Sequence, residues 1–339
     1  MCWVLSKRKD YFDTIDNLMD FKILWIRFQQ FGGIRLLWQY ARLGVLRTGI
    51  KSFFRCLVKG ESFKKIYPEL LKKIEPFLLN KYYPLLSERK VFYQKQDFSH
   101  KRDKLIWFCW LQGLENSPAI VKACFKSLTR LADYRLQVID NNNWREYVDI
   151  PEYIMKRWEK RQIPAAIFTD LLRLELLIKY GGTWIDSTVL FTGPVLKTNT
   201  LQVKDYLDAD LFLFRYSKPN VSPLRISNWF ISSCANNDVL MVLRDMLYSY
   251  WIDYNCTLDY YIFHLFFSMI SKEYPEQIAT MPYANSKNSL ALLHNWDKQF
   301  DREKWGRLTE QVCFHKLSYR VNTKIIDGKN NYYNWILKL

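Results

Sequence analysis

Hydrophobic positions change their rhythm near residue 104. Before it, apolar residues such as Leu24, Trp25, Phe28, Phe31, Leu36, Trp38, Leu43 and Phe53 return at helical intervals between Lys and Arg. Arg27 and Arg35, Arg35 and Arg42, and the set Arg47, Lys51, Arg55 and Lys59 are four, seven or eight apart, which brings them to nearly one side of a helix. Ser62 to Lys95 predicts further helix with breaks at Pro68, Pro76 and Pro84. After residue 104 the rhythm is that of alternating strands and helices. Leu105 to Trp110 is a short apolar run of β-formers that ends in the turn Leu111-Gln112-Gly113, as a buried parallel strand does. Pro118 opens a helix from Ala119 to Leu131, and Tyr134 to Ile139 is a second strand closed by Asp140 to Asn143. Strand, helix, strand is a βαβ unit, and ligands of such sheets bind beyond the carboxyl ends of the strands.

Pro151 to Lys160 predicts a helix, and Ile163 to Tyr180 a long, largely buried one, closed by Gly181-Gly182. Asp170 and Arg173 are three apart on one face of it, and a charged pair on a buried face is either mutually paired or serves a ligand. Thr183 to Ile185 enters a strand that reaches Asp186-Ser187-Thr188 and continues through Val189 to Phe191. Further on, Asn228-Trp229-Phe230 follows a loop, Trp251 precedes Asp259-Tyr260-Tyr261-x-x-His264, and Val312 to Leu317 is a strand-like run carrying His315 and Lys316. Asp259 and His264 are five apart, so on one helix they diverge by about 140°.

The fold class is therefore α/β, with a mostly helical N-terminal extension over 1–100 and the main domain over 101–339. Charge sharpens that division. Residues 1–104 hold 22 Lys and Arg against 10 Asp and Glu, so most of the formal charge of +16 belongs to the first third. Phe21 to Gly60 has eight basic residues and no acid. Cations on one helix face and Trp, Phe and Leu on the other predict an arm lying on an anionic membrane surface. Bulky aliphatics interrupt the arginines and no nucleic-acid motif accompanies them, so nucleic acid is not an expected partner. The seven cysteines are widely spaced with no C-x-x-C pair, which predicts reduced, buried thiols and no zinc site. Met1 to Asp20 has no signal-peptide apolar core, and no run of eighteen apolar residues occurs. The expected location is cytoplasmic, peripheral on the inner face of the plasma membrane. No carboxylate pair at glycosidase spacing is identifiable.

The stretch Thr169-Asp170-Leu171-Leu172-Arg173 through Gly181-Gly182-Thr183-Trp184-Ile185-Asp186-Ser187-Thr188 resembles the signature of the capsular polysaccharide synthesis glycosyltransferases. These are similar to the wider DxD sugar-transferase group, whose toxin members carry an S/T-D-x-x-R helix. The resemblance spans roughly 104–320. It implies a GT-A, Rossmann-like fold and transfer of a sugar from a UDP-linked nucleotide-sugar donor to a polysaccharide or lipid-linked acceptor. It implies Trp107 and Trp110 at the nucleotide base, Asp170 and Arg173 on the nucleotide sugar, and Asp186 as the first acid of DxD. A divalent cation, Mn2+ or Mg2+, would sit on Asp186 with His315, and Lys316 on the diphosphate. Thr188 stands where DxD has its second acid, as the capsular subgroup's D-[AS]-T does. Asn228, Trp229 and His264 are expected at the acceptor. The wider group retains anomeric configuration; in an inverting reaction Asp259 would serve as base. A non-catalytic interaction protein with a degenerate GT-A domain is the alternative.

Overall fold

The computed structural model describes residues 25–26, 28–59, 66–195, 200–216, 225–328 and 330–339. Lys22, Leu24, Arg27, the Met1–Asp20 segment and Cys2 therefore lie outside the described residues. The chain forms two compact units, one built from 1–89, 150–169 and 245–269, the other from 90–149, 170–244 and 270–339.

The first unit is helical. It contains α1 (Ile34–Arg42), α2 (Leu46–Lys59) and most of α3 (Ile66–Gln94). It also takes in α5 (Glu152–Glu159) and parts of α6 (Ala165–Tyr180), α7 (Asp238–Asp253) and α8 (Ile262–Glu273), with α4 (Ala119–Leu128) left to the second unit. The N-terminal helices fall in one unit with two segments from later in the chain. α3 buries Ile74, Leu78, Tyr82 and Leu86, an i, i+4 stripe. Tyr82 packs edge-on against Phe266 and donates its hydroxyl to Asp253, which Lys81 also pairs at 2.9 Å.

The breaks expected at Pro68, Pro76 and Pro84 do not occur, since α3 runs through all three. Pro68 falls in the first turn, where no intrahelical acceptor is lost. Pro76 and Pro84 lie off the buried stripe, and the carbonyls they would strand belong to the exposed residues Lys72 and Asn80, which water can serve.

The second unit is α/β. Its five-stranded sheet has the order β2-β1-β3-β6-β5, from β1 (Leu105–Cys109), β2 (Arg135–Ile139), β3 (Gly182–Asp186), β5 (Leu211–Arg215) and β6 (Ile226–Ser233). β2, β1 and β3 are parallel, and β6 and β5 add antiparallel partners. The α/β expectation holds, and the βαβ unit is β1, α4 and β2. β4 (Val189–Phe191) does not continue β3. The turn at Ser187-Thr188 takes the chain out of the large sheet, and β4 instead pairs with β7 (Phe314–Lys316), Val189 opposite Lys316 and Leu190 opposite His315.

Gly181 and Gly182 make the passage from α6 to β3. Gly181 caps the helix with its N–H on the Leu177 carbonyl at 2.8 Å, at φ +69°. Gly182, at φ +88°, lies so close to β1 that a Cβ would stand 2.4 Å from the Leu105 carbonyl oxygen. The glycine pair thereby fixes where β3 begins and hence where Asp186 ends.

Candidate active site

β3 carries alternate residues to one face, so Trp184 and Asp186 emerge together at the carboxyl end of the parallel strands. α6 presents Asp170 and Arg173 one turn apart. β6 brings Asn228, and β7 brings Lys316. All six belong to the second unit.

Arg173 is the hub. Its guanidinium lies 3.2 Å from Asp170 and 3.4 Å from Asp186, donates to the Asn228 carbonyl, and sits over the Trp184 ring at 4.9 Å. The Asn228 amide donates to Asp170 at 2.9 Å, and the Trp184 indole to Asp186 at 2.9 Å. Lys316 donates at 2.8 Å to Asp186 and at 2.8 Å to the Thr188 hydroxyl. Its backbone place is fixed by the β4–β7 ladder and by the Leu317 N–H on the Thr188 carbonyl at 2.7 Å.

The two carboxylates differ in protonation. Burial pushes Asp170 up to about 7, aided by the charge of Asp186, and Arg173 and the Asn228 bond pull only partly against it. Asp186 feels burial too, but Lys316 and Arg173 outweigh it and hold its carboxyl below the usual range. Near neutral pH two cations therefore face one firm carboxylate and one that is close to half protonated. The Asp186 side chain remains 26% exposed, whereas those of Asp170 and Arg173 are nearly sealed. The node is thus open at Asp186 and Lys316, and it offers positive charge to an anion.

Several expected residues are placed elsewhere. His315 does not join Asp186. Adjacent strand residues face opposite ways, so β7 sends Lys316 to the node and turns His315 into a fully buried position. There burial holds its ring well below ordinary histidine, at about 4. Trp107 is a core residue, 1% exposed, packed on Tyr147 and Tyr180 with its indole N–H on the Gly181 carbonyl. It offers no face to a base. Trp110 lies at the end of β1 against Tyr319, partly exposed, with its indole nitrogen unpartnered among the described residues.

Asn228 buttresses Asp170 and Arg173 rather than standing apart from them. Trp229, its strand neighbour, turns the other way and stacks on Phe214 at 4.5 Å in the core. Asp259 and His264 belong to the first unit. Asp259 is 1% exposed and accepts from the Tyr67 hydroxyl and the Tyr261 N–H, both at 2.8 Å, which ties the turn before α8 to α3. His264 lies in the first turn of α8 beside Tyr261. Two members of the node were not singled out from sequence, Trp184 and Thr188 as a lysine partner. Trp184 was findable: two residues before Asp186 on a strand is the same face.

A divalent cation fits poorly here. Lys316 and Arg173 already engage both oxygens of Asp186, and no group of three His, Cys, Asp or Glu suited to a metal occurs among the described residues.

Fold and site together define an α/β protein with an anion-ready node at the carboxyl ends of its parallel strands. The chain belongs to the capsular polysaccharide synthesis protein family, whose model matches residues 56–336. The match starts inside α2, so the family's extent includes much of the helical unit as well as the sheet. A solved structure titled "PaToxG Glycosyltransferase" is similar at 12% identity and a TM-score of 0.35, covering 70% of this chain and 95% of that chain. That likeness carries no residue roles across. A comparison with curated proteins finds no match.

Proposed function

We propose that the chain is a GT-A-type glycosyltransferase of capsule or exopolysaccharide synthesis. It would take a sugar from a nucleotide-sugar donor, UDP-linked in this reading, to a hydroxyl of a polysaccharide or lipid-linked oligosaccharide. The observation that carries the reading is the node in which Arg173 and Lys316 converge on Asp186 at the end of β3. In the transfer the bond from the anomeric carbon to the diphosphate oxygen breaks, and its electron pair leaves with the diphosphate. A new bond forms to the acceptor oxygen, whose proton ends on the released diphosphate or in solvent. The barrier falls where preorganised cations meet the charge that develops on the leaving group. Arg173, locked by Asp170, Asn228 and Trp184, is preorganised in this sense. Lys316, more exposed, is the side chain able to shift from Asp186 toward a phosphate. Asp186 would accept from a donor hydroxyl. Donor binding by the intact chain, and its loss in Asp186→Asn, tests the reading.

The helical unit supports a place for this reaction, the cytoplasmic face of a membrane. α1 and α2 expose Ile34, Leu37, Trp38, Ile50, Phe53, Phe54 and Val58, with Arg42, Arg47, Lys51 and Arg55 exposed among them. No helix among the described residues is long and apolar enough to cross a membrane. Apolar side chains able to enter the headgroup region, flanked by cations for anionic lipid, suit a surface-lying helix pair. Flotation of the full chain with vesicles of phosphatidylcholine and 30% phosphatidylglycerol tests this. The quadruple variant Arg42→Glu, Arg47→Glu, Lys51→Glu, Arg55→Glu is expected to lose most of the bound fraction. Equal flotation of both proteins would contradict it.

A further inference from the structure

We infer that this enzyme binds its donor diphosphate without a divalent cation, the Lys316 ammonium beside Asp186 and Thr188 supplying the positive charge a metal would supply. The inference rests on the transferase reading and concerns how that site handles charge. A metal at this place would be held by hard oxygen donors, carboxylates before neutral hydroxyls, together with the phosphate oxygens. The chain supplies one carboxylate, Asp186, and one neutral hydroxyl, Thr188. Lys316 contacts both, 2.8 Å from each, and so its positive charge already stands between them.

That position is built in rather than incidental. Val189 pairs with Lys316 across β4 and β7, and the Leu317 N–H holds the Thr188 carbonyl, so the lysine backbone is clamped directly beside the turn. The other oxygen of Asp186 is engaged by the Trp184 indole and Arg173. His315, the nearest nitrogen donor in sequence, is turned away and buried. A cation drawn to Asp186 would have to displace the ammonium and sit beside the guanidinium, with a single carboxylate to hold it. An incoming diphosphate has no such conflict. It meets two positive groups, one a fixed planar donor fork and one a point charge on a longer, more exposed side chain. Thr188 suits this arrangement, because a carboxylate there would deepen the lysine's ion pair and keep it from the phosphate.

The experiment is calorimetric titration of the full chain with UDP, in 1 mM EDTA and separately in 1 mM MnCl2. The expected result is binding in EDTA with a Kd within about twofold of that in Mn2+. Lys316→Ala is expected to weaken UDP binding more than tenfold in both buffers, and Lys316→Arg to restore most of it; circular dichroism of each variant establishes that it is folded. The double variant Thr188→Asp, Lys316→Ala, which exchanges the ammonium for a second carboxylate, is expected to gain a Mn2+ site detectable by electron paramagnetic resonance without nucleotide. UDP binding that requires Mn2+, or folded Lys316→Ala binding UDP in EDTA as the wild type does, would overturn this inference and leave the transferase reading standing. No binding of UDP or any nucleotide sugar in either buffer would overturn both.

Discussion

His315 and Lys316 are neighbours in sequence and opposites in the fold. One is sealed and neutral; the other is half-open and paired to Asp186. The period of two in a strand decides this, and it separates Asn228 from Trp229 in the same way. From sequence, His315 stands ahead of Lys316, and Asn228 and Trp229 stand together; which face of a short strand meets the site depends on its partner strand. The buried His315 has a consequence for stability. Its pKa falls from 6.5 to about 4 on folding, so the unfolded chain binds the proton first as pH drops. Stability from this residue is whole above pH 6.5 and is lost as pH falls toward 4. Asp170 works the other way: its pKa rises from 3.8 to about 7, so its contribution is whole below pH 3.8 and is lost as pH rises through 7. Denaturant unfolding at pH 7 and pH 5 separates them. Over that fall in pH the stability change of His315→Gln is expected to be about 2 kcal/mol more favourable than that of the wild type, Asp170 contributing equally to both. An identical change in both proteins would show that His315 is not held neutral.

At the scale of elements, the parts legible from sequence were those set by neighbouring residues. β1, β2, the buried helix α6 and the Gly181-Gly182 turn follow from apolar runs, period and glycine chemistry, and with them came Asp170, Arg173 and Asp186. What escaped was non-local. The sequence around Val189 continues β3, because nothing near it announces a partner at Lys316. Pro68, Pro76 and Pro84 signal breaks in sequence, whereas their cost depends on which face of the helix meets solvent. Gly182 offers a check on the β3 junction. Gly182→Ala must accept φ +88° and a Cβ 2.4 Å from the Leu105 carbonyl, so β1 and β3 would have to part. The expected cost is about 3 kcal/mol or more, against about 1 kcal/mol for Gly44→Ala, whose Cβ meets nothing within 4 Å. Equal losses in the two variants by urea unfolding would mean that the close approach to β1 does not set the junction.

At the scale of the molecule, the chain combines an α/β unit that holds the charged node with a helical unit that exposes aromatic and basic side chains. The interleaving of the two units along the sequence could not be foreseen, because the segments 150–169 and 245–269 carry no signal of which core they join. The composition did show that the positive charge concentrates in the first third. Membership of the capsular polysaccharide synthesis family, the node at the end of β3 and the exposed basic helices all suit an enzyme that uses an anionic donor near an anionic surface. The claim on which the rest depends is that the node recognises a nucleotide sugar. Calorimetric titration of the intact protein with UDP-, GDP-, CMP- and dTDP-sugars, beside Asp186→Asn, measures it directly. The account predicts saturable binding of one donor class, UDP-linked, that falls at least tenfold in the variant. Binding of no donor, or equal binding by Asp186→Asn, would contradict it.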